Sequence, residues 1–160
     1  MTAHSGPKAL TEYILYQSKH KANKRFVILL MQGILAGMYI AIGAVASLKV
    51  SASITAPGLG NFLGALVFPL GIIAIILMQA ELFTSDCMVM MAVYSGRTRI
   101  NRIFGILLLI ICSNLLGSIF IAFLTKQSGI FDQAVINLVI DKAVHKVHMP
   151  LGKLFTSSVL

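Results

Sequence analysis

Three uncharged runs, residues 26–48, 61–80 and 103–125, divide the chain, separated by short polar segments. The first and third are 23 residues long, enough for a helix of about 34 Å at ~1.5 Å per residue against a hydrocarbon core of ~30 Å. Each predicts a transmembrane helix, and the first is too long for a signal-peptide core. Ala56-Pro57-Gly58-Leu59-Gly60 carries turn chemistry, so the second span is expected to begin near Asn61. That span breaks off at Glu81-Leu82-Phe83-Thr84-Ser85-Asp86, and a further apolar piece, residues 87–94, follows. Ahead of the first span, residues 11–24 set Tyr13, Ile14, Tyr16 and Gln17 among Lys19, Lys21 and Lys24, the pattern of an amphipathic helix lying on headgroups. Beyond the third span the chain is mixed, and residues 154–160 form an apolar stub where a fourth span would start. The reading is an all-α, polytopic membrane protein in three parts: an amphipathic segment 1–25, a three-span unit 26–125, and a connection with the start of a fourth helix, 126–160.

Composition removes the soluble alternatives. Hydrophobic residues are 58% of the chain, charged ones 11%, and mean hydropathy is +0.90, far from a water-coated globule or a disordered chain. The net charge of +8 comes from clusters between apolar runs and not from a basic stripe, so it reports topology and not nucleic-acid binding. Lys8, Lys19, Lys21, Lys24 and Arg25 against Glu12 place the N-terminus in the cytoplasm. Arg97, Arg99 and Arg102 place the 94–102 loop there too, and residues 126–150 fall outside. Cys87 and Cys112 lie in apolar stretches and read as small buried hydrophobes, not as a disulfide.

The polar break at residues 81–86 has two readings. It is either an ordinary loop before a surface helix or a non-helical segment at membrane depth inside a discontinuous span. Length favours the second, since residues 87–93 are too apolar for water and too short to cross alone. Irregular backbone at that depth needs protein or a water-filled cavity around it, which points to a permeation path. A half-helix N-terminus suits an anion, and Ser85 or Asp86 is expected to cap the one that begins at Cys87. Glu81 must be paired there, and holding the loop is its expected role. The Thr84 hydroxyl can donate to a solute, while Leu82 and Phe83 can form a constriction that excludes water.

With these stretches the sequence resembles the formate/nitrite transporter family, pentameric channels for small monovalent anions. The resemblance rests on Gly33-Ile34-Leu35-Ala36-Gly37-Met38-Tyr39-Ile40-Ala41, Val67-Phe68-Pro69-Leu70-Gly71, Glu81-Leu82-Phe83-Thr84, Ser113-Asn114-Leu115-Leu116-Gly117, and Lys142-Ala143 through Lys146, in family order across residues 26–160. It implies an aquaporin-like inverted repeat of six spans, of which this chain is expected to hold the first half, as a truncated form. It further implies one constriction at Phe68 and Ile72, another at Leu82 and Phe83, a loop hydroxyl at Thr84, and an anion-attracting Lys146. Ala80 and Asp86 stand where members commonly have Gly and Asn. Asp86 therefore either weakens anion binding or pairs with a base in the second half.

Other features have plainer readings. Gly33 with Gly37, and Gly60 with Gly64, have the spacing of close helix packing, and Asn114 and Gly117 belong to the same packing surface. His145 and His148 with Asp141 could share a helical face, but the intervening lysines repel a cation, so no metal or other cofactor is expected. No nucleophile and base, phosphate loop or dinucleotide pattern supports an enzyme. The expected function is passage of formate, nitrite or hydrosulfide across the cytoplasmic membrane by a homo-oligomer. A membrane anchor of a larger complex is the alternative, though an anchor has no use for the 81–86 break.

Overall fold

The computed structural model describes residues 6–22, 24–87, 90–96, 99–150 and 152–153. Its elements are helices: α1 (Pro7–Ala22), α2 (Phe26–Ser53), α3 (Pro57–Val67), α4 (Pro69–Leu77), α5 (Phe83–Asp86), α6 (Met90–Tyr94), α7 (Ile100–Gln127) and α8 (Gln133–Val147). Three stretches, Phe26–Ser53, Gly58–Leu77 and Ile100–Gln127, are long and apolar enough to cross a membrane. The protein is thus all-helical and polytopic. The expected fourth-span stub at 154–160 and Arg97 lie outside the described residues.

The spans differ at their ends from the sequence reading, for local reasons. α2 runs on past Lys49, whose ammonium leaves the helix to meet Asp132 at 2.7 Å. α3 starts at Pro57 and not near Asn61, because proline at the first helical position loses no hydrogen bond and has its φ already set. What looked like turn chemistry is a helix start. Phe68 and Pro69 then divide the second span into α3 and α4, since the proline ring cannot donate to the preceding turn.

α2 is the central helix, with α7 on one side and α3 and α4 on another. Small residues let the backbones meet. A side chain on Gly37 would run into the carbonyl of Asn114, one on Gly117 into that of Ile34, and one on Gly33 into the Ser113 hydroxyl. Gly43 and Gly71 face each other where α2 meets α4, and a Cβ on Gly43 would lie 2.8 Å from the Phe68 oxygen. The GxxxG spacing is therefore close packing. Interior apolar residues are few, among them Ile75, Ile103 and Ile110, while Ile76, Leu77 and Phe104 are each at least two-thirds exposed. Apolar surface on that scale is what lipid covers.

Cys87 and Cys112 are free, and both are exposed rather than buried. An apolar run does not distinguish a side chain facing lipid from one facing protein, and these cysteines sit on outward faces. The connection after α7 contains a helix, α8, that the mixed composition did not announce. Its N-cap is Asp132, whose side chain accepts from the Val135 N–H at 3.2 Å. Lys49, together with that N–H, holds the Asp132 carboxyl below its ordinary pKa.

Candidate functional site: the loop between α4 and α5

The break after Leu77 is a built structure. The Gln79 N–H donates to the Ile76 carbonyl at 3.2 Å and the Ala80 N–H to that of Ile75 at 3.0 Å, the paired bonds that stop a helix at a left-handed residue. That residue is Gln79, at φ 50°, where glycine is usual. Residues 80–82 are then non-helical, and α5 makes one turn from Phe83.

Two neighbouring helices satisfy the loop backbone. From α2, the Gln32 side-chain amide donates to the Gln79 carbonyl at 3.0 Å, and the Gln32 carbonyl accepts from the Glu81 N–H at 3.3 Å. From α7, Asn114 uses both ends of its amide. Its Oδ1 accepts from the Phe83 N–H at 2.9 Å, and its Nδ2 donates to the Glu81 carbonyl at 3.0 Å and to the Gly33 carbonyl at 2.9 Å. Asn114 was expected only to pack helices. It fastens the loop to both long spans, and the contact lies 31 to 81 residues away in sequence, beyond any local pattern.

The acids of the loop are buried and paired. Glu81 is 2% exposed and Asp86 fully buried. Lys24 meets Glu81 at 2.6 Å, and Lys21 reaches both Glu81 and Asp86. Burial alone would push the Lys21 pKa down, but hydrogen bonds and charge from Asp86 and Glu81 outweigh it and leave it raised. Lys21 is therefore a fixed cation. Both bases come from α1 and its C-terminal extension, so Asp86 Oδ1 has its partner within this chain, while its buried Oδ2 has none among the described residues.

A further expectation changes. Neither Ser85 nor Asp86 caps a helix beginning at Cys87. The short helix begins at Phe83 with Leu82 at its N-cap and no side-chain cap, the Ser85 hydroxyl donates back to the Leu82 carbonyl at 2.8 Å, and Asp86 is spent on Lys21. Along α2 the loop contact is Gln32, about 9 Å into a helix of about 42 Å, and along α7 it is Asn114, about 21 Å into a helix of the same length, so the loop meets one long span near its start and the other at its middle.

Thr84 and Ser85 are exposed, and Leu82 and Phe83 half-buried. Phe68 and Ile72, four residues apart, share a face of the second span. Phe68 lies about 14 Å along the axis from the end of α4, so the two residue pairs sit at different depths. Phe68 lines a cavity of about 620 Å³ with Ser47, Ser51, Asn61, Asp141 and Lys142 among its other walls. The lysine beside Phe68 is thus Lys142, and Lys146 is one turn further along α8, exposed.

The sequence matches the formate/nitrite transporter family over residues 8–160. It is 32% identical over 161 residues to the formate channel FocA of Haemophilus influenzae, covering 96% of this chain and 56% of the relative. It is 25% identical over 151 residues to the formate channel BtFdhC of Bacillus thuringiensis, covering 92% and 58%. An uncharacterized transporter of Bacillus subtilis, YrhG, is 29% identical over 161 residues, covering 96% and 59%. The chain thus spans less than two thirds of the length of each relative.

Proposed function

Because the chain belongs to the formate/nitrite transporter family, we propose that it supplies the first half of an inverted-repeat channel for small monovalent anions, formate, nitrite or hydrosulfide, in the cytoplasmic membrane. The observation that carries this reading is the loop of residues 78–82 with α5. It is irregular backbone inside an apolar span, yet its N–H and carbonyl groups are met by Gln32 and Asn114. A bilayer accepts such backbone only where protein or a cavity surrounds it, and a half-helix opening there presents Thr84. The Thr84 hydroxyl donates to the passing anion without adding charge. Leu82 and Phe83 on one side, and Phe68 and Ile72 on the other, strip water from it. Lys142 and Lys146 raise the local anion concentration at the Phe68 mouth. The second wall comes from the other repeat, and the assembly is a pentamer of such subunits.

The reading is tested in liposomes holding residues 1–160 joined to the C-terminal part of a family member. Thr84→Val is expected to lower anion uptake about three- to tenfold, the worth of one hydrogen bond, with an unchanged size-exclusion profile. Unchanged uptake removes Thr84 from the path.

Orientation is tested separately, and rests on the lysine and arginine asymmetry. With single cysteines at Ser5, Thr98 and Gln133 in a Cys-free background, only the one at 133 is expected to label from outside with an impermeant thiol reagent. Labelling at 98 with none at 133 reverses the topology.

A further inference from the structure

α8 passes α2 and α3 across a cavity of about 620 Å³, whose wall sets Ser47, Ser51 and Asn61 beside Phe68, Asp141 and Lys142. Resting on the reading of Phe68 as a constriction of the anion path, we propose that this cavity selects by charge: a singly charged anion binds there on Lys142 and the hydroxyls, and Asp141 is a specificity-determining residue that turns away anions carrying two charges.

Three observations carry this. First, the hydroxyls of the wall are uncommitted. Those of Ser53, Ser113, Thr125 and Ser128 each donate to a backbone carbonyl nearby in the chain, whereas those of Ser47 and Ser51 have no partner among the described residues. Gly64 leaves room for them: an added Cβ would lie 3.3 Å from the Ser47 hydroxyl and would fall on that of Ser51. Second, one base and one acid line the same space and are not spent elsewhere. Lys49, near the end of α2, is held by Asp132, but Lys142 and Asp141 have no ion pair among the described residues. As neighbours on a helix they do not face each other. Third, such a wall sorts ions by charge. A space of that volume is roughly 10 Å across, so an ion in it lies within the ~8 Å screening length of both groups. Attraction by Lys142 and repulsion by Asp141 nearly cancel there. The cost of leaving water grows as the square of the charge, so a dianion loses about four times what a monoanion loses. Hydrogen bonds from Ser47, Ser51 and Asn61 offset the smaller loss, and no surplus positive charge offsets the larger.

Substitution of Asp141 leaves a signature that a structural role does not. Coulomb energy is proportional to the charge of the ion, so a change of potential that alters monoanion binding by some factor alters dianion binding by its square. The reporter is Ala65→Cys, on the cavity wall, in a Cys87→Ser, Cys112→Ser background of the joined chain used for uptake. It is labelled in open membrane fragments with an anionic methanethiosulfonate, and formate or sulfate is added to protect it. With native Asp141, and with Asp141→Glu, formate is expected to protect at a concentration at least about tenfold below that of sulfate. Asp141→Asn is expected to lower the protecting concentration about threefold for formate and about tenfold for sulfate, and Lys142→Gln to raise both by about the same factors. Equal shifts for the two anions, or no shift, overturn the proposal, as does a reporter that neither anion protects. If Ala65→Cys is not recovered or does not label, Leu138→Cys on α8 takes its place, and failure of both overturns the cavity as an anion site. In liposomes, sulfate is expected to inhibit formate uptake about tenfold more strongly in Asp141→Asn than in the parent. Shifted protection with unchanged inhibition overturns the role in selection. A parent channel without formate uptake refutes the channel reading, whereas the protection result stands by itself.

Discussion

A chain carrying Gly37→Ile is expected to lose the pairing of α2 with α7, while Gly105→Ile, on α7 itself, behaves as the parent. At Gly37 a Cβ would fall within the carbonyl group of Asn114, and the clash is with backbone, which cannot swing aside. At Gly105 nothing lies within 4 Å. In lipid no hydrophobic drive pulls helices together, so close van der Waals contact and interhelical hydrogen bonds carry the association. Parting the helices by the width of a side chain gives up the approaches at Gly33, Gly37 and Gly117 together. It also stretches the Ser118 hydroxyl bond to the Gly37 carbonyl, 3.1 Å, and the Asn114 bond to the Gly33 carbonyl, 2.9 Å. The cost should reach or exceed ~3 kcal/mol, the upper end for overpacking a side-chain core. That corresponds to a fall of about 10 °C in the thermal midpoint in detergent, followed by loss of the monodisperse peak. Equal midpoints for Gly37→Ile and Gly105→Ile would sink the argument.

The same two helices show what a sequence can and cannot disclose. Their existence and approximate length follow from uncharged runs, because a bilayer imposes that pattern on anything that crosses it. The Gly33 and Gly37 spacing discloses that α2 packs closely, since period and residue size are both local properties. Nothing local says that the partner is α7, or that Asn114 will turn from packing to fastening a loop. The start of α3 was misread because proline and glycine mark both turns and helix beginnings, and only the neighbour at Gly60 decides between them. Its added Cβ would meet the Ser51 oxygen at 2.7 Å, so the segment lies against α2 as a helix. That the second span stops just ahead of Glu81 was legible in the polar break, but the stop residue was hidden, because a left-handed residue is usually glycine and here it is Gln79, whose carbonyl the Gln32 amide holds. Glu81 could be required to pair on energetic grounds alone. The identity of its partners, lysines more than fifty residues earlier, is a property of the fold.

Asn114→Leu is expected to release the loop while leaving the three spans in place. Leucine is close to asparagine in size, so the α2–α7 contact survives, but three hydrogen bonds go at once. The Gly33 carbonyl also lies within the α2 ladder, so its loss is small. The Phe83 N–H and the Glu81 carbonyl have no second partner among the described residues, and each unmet group costs ~1–3 kcal/mol. The Phe83 amide, now protected, should exchange about ten- to a hundredfold faster, since each 1.4 kcal/mol is a factor of ten. Asn114→Asp separates donor from acceptor. The carboxylate can still accept from Phe83 but faces two carbonyl oxygens with nothing to donate, so it should release the loop as well. Hydrogen exchange read on a peptide covering residues 78–87, beside one from the middle of α7 as an internal standard, distinguishes local release from global unfolding. Faster exchange in both peptides would mean that Asn114 holds the bundle and not the loop, and unchanged exchange in both would mean that its three bonds contribute nothing. On the channel reading, the variant that frees Phe83 also loses anion uptake, because Leu82, Phe83 and Thr84 then no longer keep a single geometry for a desolvated anion.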